Sequence, residues 1–149
     1  MPELGIAAGD EAALWYYNVT MAVGTGRPNT RVDVKMVQYF LMRLFQRWSN
    51  RRPAGPMIAV DGVFGPITRR YIHQFQHMIP SVLNDGVVDK ALGEVSSISH
   101  TVYTIVTLNA VYNAQFGDLD EPWVQDQGMD SELAWAMYGI SSQAPGDPI

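Results

Sequence analysis

Apolar positions recur along this chain at helical spacing in three places. In "DVKMVQYFLMRLFQRW" the residues Val34, Val37, Leu41 and Leu44 fall at steps of three and four, with Phe40 and Trp48 near the same face. That spacing predicts an amphipathic helix, with Asp33 as its N-cap. Tyr71, Ile72, Phe75 and Ile79 form a second stripe, opened by Gly65-Pro66 and stopped by Pro80. Proline suits a first helical position and ends a helix that precedes it. In "NDGVVDKALGEV" Asp89 is the expected cap of a short third helix that turns Ala91, Leu92 and Val95 inward.

The flanks are read the same way. "DEAALWYY" is rich in helix-favouring Ala and Leu and starts with Asp10, so a short helix is expected there. "VGTGRPNT", residues 23–30, is a loop by composition, and so is "SNRRPAGP", residues 49–56. Residues 96–116 carry enough β-branched side chains for a strand. The spacing of Val102, Ile105, Val106, Asn109 and Tyr112 suits a helix better, and a helix is predicted, joined through the serines to the one before. A last helix, "SELAWAMYG", would be capped by Asp130 and closed by Gly139.

The pattern therefore predicts an all-α fold in one domain, residues 1–149, with a core at 31–95, an N-terminal extension at 1–30 and a C-terminal helical extension at 96–149. At 47% hydrophobic residues a packed core is within reach. With no cysteine, disulfides, thiolate metal sites and cysteine nucleophiles are excluded. The N-terminus has no basic region ahead of an apolar stretch, so no signal peptide is read; the expected location is cytoplasmic as synthesised, with delivery to the cell envelope by another route. No run is long and apolar enough to predict a membrane span.

Charge is divided sharply. Nine of the ten Lys/Arg residues lie between Arg27 and Arg70, where only Asp33 and Asp61 oppose them. From Tyr71 onward one lysine faces ten acids. The overall balance of −5 and the absence of a recognition motif argue against nucleic acid. Within the basic segment Arg43, Arg47, Arg69 and Arg70 stand near Tyr39 and Trp48. Arginine with aromatics can grip carboxylates and sugar faces, and is equally at home in a protein interface. These six residues are the candidate ligand-binding set.

No catalytic residue, metal site or cofactor is assigned. His73 and His77 are four apart, but no glutamate lies between them as in a His-Glu-x-x-His motif. The glycine-rich loop at 23–30 lacks Gly-Lys-Ser/Thr, and no Gly-x-Ser-x-Gly elbow occurs. Asp-Gly-Val appears twice, at Asp61 and Asp85. A calcium loop would need further oxygen ligands where Val63 and Phe64 stand. The turn reading is simpler: Gly62 and Gly86 permit a positive φ, the aspartates accept bonds from following N–H groups, Phe64 seats in the core, and Gly65 launches a helix in whose first turn Thr68 bonds.

The order "VKMVQYFLMRLF", "VDGVFGPITRRYIHQFQ", "NDGVVDKALGEV" resembles the peptidoglycan-binding-like module, a three-helix cell-wall-binding domain. Asp61, Gly62, Phe64, Gly65, Pro66, Thr68, Phe75 and Gln76 match the family's middle motif, Gln38 matches the glutamine of its first helix, and Asp85 and Gly86 match its second turn. The chain departs after that turn, where the family has Gly-Pro-x-Thr and this sequence has Asp89-Lys90-Ala91-Leu92. The resemblance implies a small helical bundle elaborated at both ends. It implies a non-catalytic module that binds peptidoglycan or its fragments. The alternative is a structural or adaptor subunit of a phage-like or secretion assembly, making contacts with protein partners or as a homo-oligomer.

Overall fold

The structure is a computed structural model that describes residues 3–7, 14–92, 101–116 and 132–133. Strands β1 (Glu3–Ala7) and β2 (Leu14–Asn18) come first, then helix α1 (Arg31–Arg47), a short 3₁₀ turn (Ser49–Arg51), α2 (Pro66–Met78) and α3 (Thr104–Phe116). Helices dominate, as the periodicity predicts. α1 is the centre: α2 and α3 pack on it, and α3 also packs on β2.

The N-terminal prediction is corrected. β1 and β2 pair antiparallel, with Leu4 opposite Tyr17 and Ile6 opposite Trp15. "LWYYN" is thus strand where a helix was expected, and the proposed cap Asp10 lies outside the described residues. Its aromatic content favours a sheet, and tertiary partners decide the matter. The Tyr17 N–H donates to Asn109 Oδ1 at 2.7 Å, and Asn109 Nδ2 donates to the Tyr17 carbonyl at 2.9 Å. The α3 amide side chain thus imitates a peptide and satisfies the strand edge that β1 leaves open. Asn18 does the same for Ala91, through Asn18 Nδ2 to the Ala91 carbonyl and the Ala91 N–H to Asn18 Oδ1, both at 3.0 Å.

α1 is buried on nearly all sides along Asp33–Leu41, which marks a helix enclosed by other elements rather than one with a single wet face. Asp33 is not its N-cap. Thr30 holds that position without a side-chain bond, and the fully buried Asp33 carboxylate accepts N–H groups from Thr20 at 2.9 Å and Met21 at 3.1 Å. A buried carboxylate needs such donors, and the nearby helix N-terminus favours its charge. α2 begins as predicted, with Pro66 in its first turn after an extended Gly65. It buries Tyr71, Ile72 and Phe75 and yields to extended backbone at Ile79, ahead of Pro80.

The predicted third helix is also corrected. Residues 89–92 are not helical, Asp89 caps nothing there, and Leu92 is 81% exposed. Val95 lies outside the described residues. Of the helix predicted over 96–116, Thr104–Phe116 is helical. Ahead of it Val102 makes a parallel bridge to Val82, and 93–100 lie outside the described residues. Of the last predicted helix only Glu132 and Leu133 are described; both are helical, and Leu133 is fully buried in the core. Among the described residues no helix is long and apolar enough to cross a membrane.

Candidate functional site

Both Asp-Gly turns are built alike. Gly62 and Gly86 have φ of +77° and +76°, a region costly for other residues. Asp61 Oδ1 accepts the Val63 N–H at 3.0 Å, and Asp85 Oδ1 accepts the Val87 N–H at 3.0 Å. That Val63 donor is the main cause holding the Asp61 carboxyl below its ordinary value, with smaller help from Gln38 and Arg31 against the opposing effect of burial.

Each turn is gripped by a glutamine of the preceding helix. Gln38 Oε1 accepts the N–H groups of Asp61 at 3.0 Å and Gly62 at 2.9 Å. Its Nε2 lies within bonding distance of Asp61 Oδ1, the Val63 carbonyl and Thr68 Oγ1, at 2.9, 3.1 and 2.9 Å. Gln76 repeats this one helix later. Its Oε1 accepts the Gly86 N–H at 2.8 Å, and its Nε2 donates to the Val87 carbonyl and to Thr104 Oγ1, both at 3.0 Å, with Asp85 Oδ1 at 3.4 Å. Thr68 therefore takes its bond from Gln38 rather than from its own first turn. Thr104, the first residue of α3, plays the same part at the second turn.

In both turns the aspartate Oδ1 and the glycine N–H are taken by internal bonds, and Phe64 is partly buried against the core. His73 does not pair with His77; its Nδ1 lies 3.1 Å from Asn84 Oδ1 and its ring covers Gly86. Asp85 and Asp89 line a small cleft with Tyr103 and Thr104. Burial, and then the Asp85 charge, pushes the Asp89 carboxyl above its ordinary value. Among the described residues no group of three or more His, Asp or Glu side chains could hold a metal ion.

The candidate ligand residues divide. Tyr39 is wholly buried, with its hydroxyl 3.0 Å from that of Tyr112, so it offers no face to a ligand. Its place in the α1 pattern, one residue from the apolar Phe40, gave no sign that this helix is enclosed. Arg43 and Arg47 both lie over the ring of Phe116, 4.7 and 5.2 Å from its centroid. Trp48 is half-buried, edge-on to Phe45 at 5.7 Å. Arg69 and Arg70 are exposed in the first turn of α2, and Arg70 Nη1 donates to the Ala54 carbonyl at 3.3 Å. Phe116 was missed, since the sequence places it 69 residues beyond Arg47.

The chain matches none of the protein-family models, none of the curated proteins and none of the solved structures with which it was compared.

Proposed function

We propose that this chain is a non-catalytic peptidoglycan-binding module in which the Asp-Gly turns hold the scaffold and the arginine and aromatic surface meets the ligand. The observation that carries this reading is the pair of glutamine-gripped Asp-Gly turns. Two turns of one design, each held by a glutamine of the helix before it, support the scaffold that the motif at Asp61–Gln76 implies, and in both the aspartate Oδ1 is already taken by a backbone N–H. The accessible groups suited to carboxylates and sugar faces are then Arg43, Arg47, Trp48, Arg69 and Arg70. Retention of the purified chain on isolated sacculi at low salt is the expected result. Failure to recover any of it there would sink this reading.

The second reading is a structural or adaptor subunit. One observation favours it: the flanking segments are part of the core rather than tethers. Val23 exchanges backbone bonds with Val88 at 3.0 and 2.8 Å, and Glu132 bonds Arg31 and Lys35 at 3.1 and 2.6 Å. Such an elaborated module could serve as a rigid assembly part, with exposed Leu83 and Leu92 as contacts. The mass in solution separates the two readings. A stable oligomer or co-purifying partner supports the adaptor, and a monodisperse monomer held by sacculi counts against it.

A further inference from the structure

Arg43 and Arg47 stand one turn apart on α1, so their side chains leave the same face. Both guanidinium carbons lie over one ring, that of Phe116 near 5 Å. Arg43 Nη1 donates to Gln46 Oε1 at 3.1 Å, while Arg43 Nε is shut off from water and has no hydrogen-bond partner among the described residues. Among the described residues neither guanidinium meets a carboxylate; the ion pairs there run from Arg31 and Lys35 to Glu132. Like charges at this spacing repel, and an aromatic face compensates only in part. Among the described residues the pair therefore has no anion to neutralise it. Arg69 and Arg70 differ, since among the described residues the cation–ring contacts are those of Arg43 and Arg47.

We propose that Arg43 and Arg47, backed by Phe116, form a binding site for the terminal carboxylate of a peptide. This rests on the cell-wall reading and narrows it: the pair takes the stem-peptide carboxylate, and Arg69 and Arg70 lie outside the site. A guanidinium fork matches a planar carboxylate with two parallel N–H bonds, which a lysine cannot supply. The partly buried ring beneath the pair lowers the competition from water.

The test follows the arginine Nε–Hε signals of the ¹⁵N-labelled full chain while N-acetyl-D-alanyl-D-alanine is added. Its methyl ester and inorganic phosphate serve as parallel titrants, and R43Q and R47Q assign the signals. Saturable shifts at Arg43 and Arg47 with the free acid, absent with the ester, are expected. Shifts with the ester, shifts confined to Arg69 and Arg70, no shift, or an equal response to phosphate would each overturn the site as a carboxylate reader. On sacculi, R43Q/R47Q and the charge-conserving R43K/R47K should each bind roughly tenfold more weakly at unchanged Tm, and R69Q/R70Q should stay within about twofold. Equal binding by wild type and R43K/R47K overturns the fork. If wild type is not retained by sacculi at all, the cell-wall reading falls while the dipeptide titration still decides the site.

Discussion

The first Asp-Gly turn faces water and the second is built into the fold. Around the first, Asp61 is exposed and Val63 is 61% accessible, with Arg31 laid across Gly62 and donating to the Asp61 carbonyl at 3.2 Å. Around the second, Gly86 is buried, Val88 is sealed by its bridge to Val23, and a Cβ on Gly24 would stand 3.0 Å from the Gly86 carbonyl and from Val87. The closing threonine also differs: Thr68 follows Asp61 by seven residues and Thr104 follows Asp85 by nineteen. A helix start can thus be moved along the chain if its hydroxyl still returns to the same amide. The added length is used, since it carries Ala91 to Asn18 and Val102 to Val82.

Removing the two glutamines should expose this asymmetry most strongly. Gln76→Leu strands the Gly86 N–H and the Val87 carbonyl where water enters with difficulty, and a loss of about 3 kcal/mol in urea unfolding is expected. Gln38→Leu breaks more bonds, yet water can reach the first turn, and roughly 2 kcal/mol is expected. Equal losses, or a larger one at Gln38, would break the distinction.

The glycines give the next largest contrast. A Cβ at Gly86 would stand 2.5 Å from His73 Nε2, while one at Gly62 meets Arg31 Cγ at 2.8 Å. The arginine is long and exposed and can swing away; the imidazole is bonded to Asn84. Both alanines carry the left-handed strain of about 1–2 kcal/mol. Gly86→Ala should cost measurably more than Gly62→Ala, and His73→Ala should recover the excess in the Gly86→Ala background. A double-mutant cycle in thermal unfolding checks this.

Smaller effects belong to the hydroxyls. Thr68→Val and Thr104→Val each remove one bond to a buried amide, worth about 1 kcal/mol. If Thr104 is the displaced counterpart of Thr68, each should couple to its own glutamine and not to the other.

Much of this was legible in the chain. The positive-φ glycines, the aspartate-to-valine bonds, the proline start of α2 and the apolar stripes all follow from local rules. What escaped needed long-range partners. "LWYY" turned to strand because Asn109, 92 residues from Tyr17, supplies a peptide-like edge. Asp33 reads as a cap in sequence and is instead the acceptor for Thr20 and Met21. The third helix was placed right after its turn because nothing local marks the longer path to Thr104. Tyr39 looked available because an arginine-bearing helix suggests a wet face, and α1 has little of one. Arg43 and Arg47 were chosen for their type and spacing, but the ring that gathers them comes from another helix.

Acid should act on the first turn and its flank, with the smallest effect of the set. Asp61 is held below its ordinary 3.8 chiefly by the Val63 N–H, and Glu132 below its ordinary 4.5 chiefly by its bond from Lys35. For both, the ionised form is favoured in the folded chain. Their contributions are therefore complete above those ordinary values and are lost as pH falls through the lowered ones. Asp89 runs the other way: its raised carboxyl adds stability as pH falls and loses it as pH rises just above 3.8. Stability against urea should thus decline below pH 4.5 in wild type, and less steeply in Glu132→Gln. Asp61→Asn should flatten the curve only below 3.8. Glu132 is 42% exposed, so salt at about 1 M should screen much of its share. The Asp61 share, which rests on a short backbone bond, should survive that salt. An acid limb unchanged by either substitution would mean that carboxylates elsewhere set it and that the exposed turn contributes nothing to the pH response.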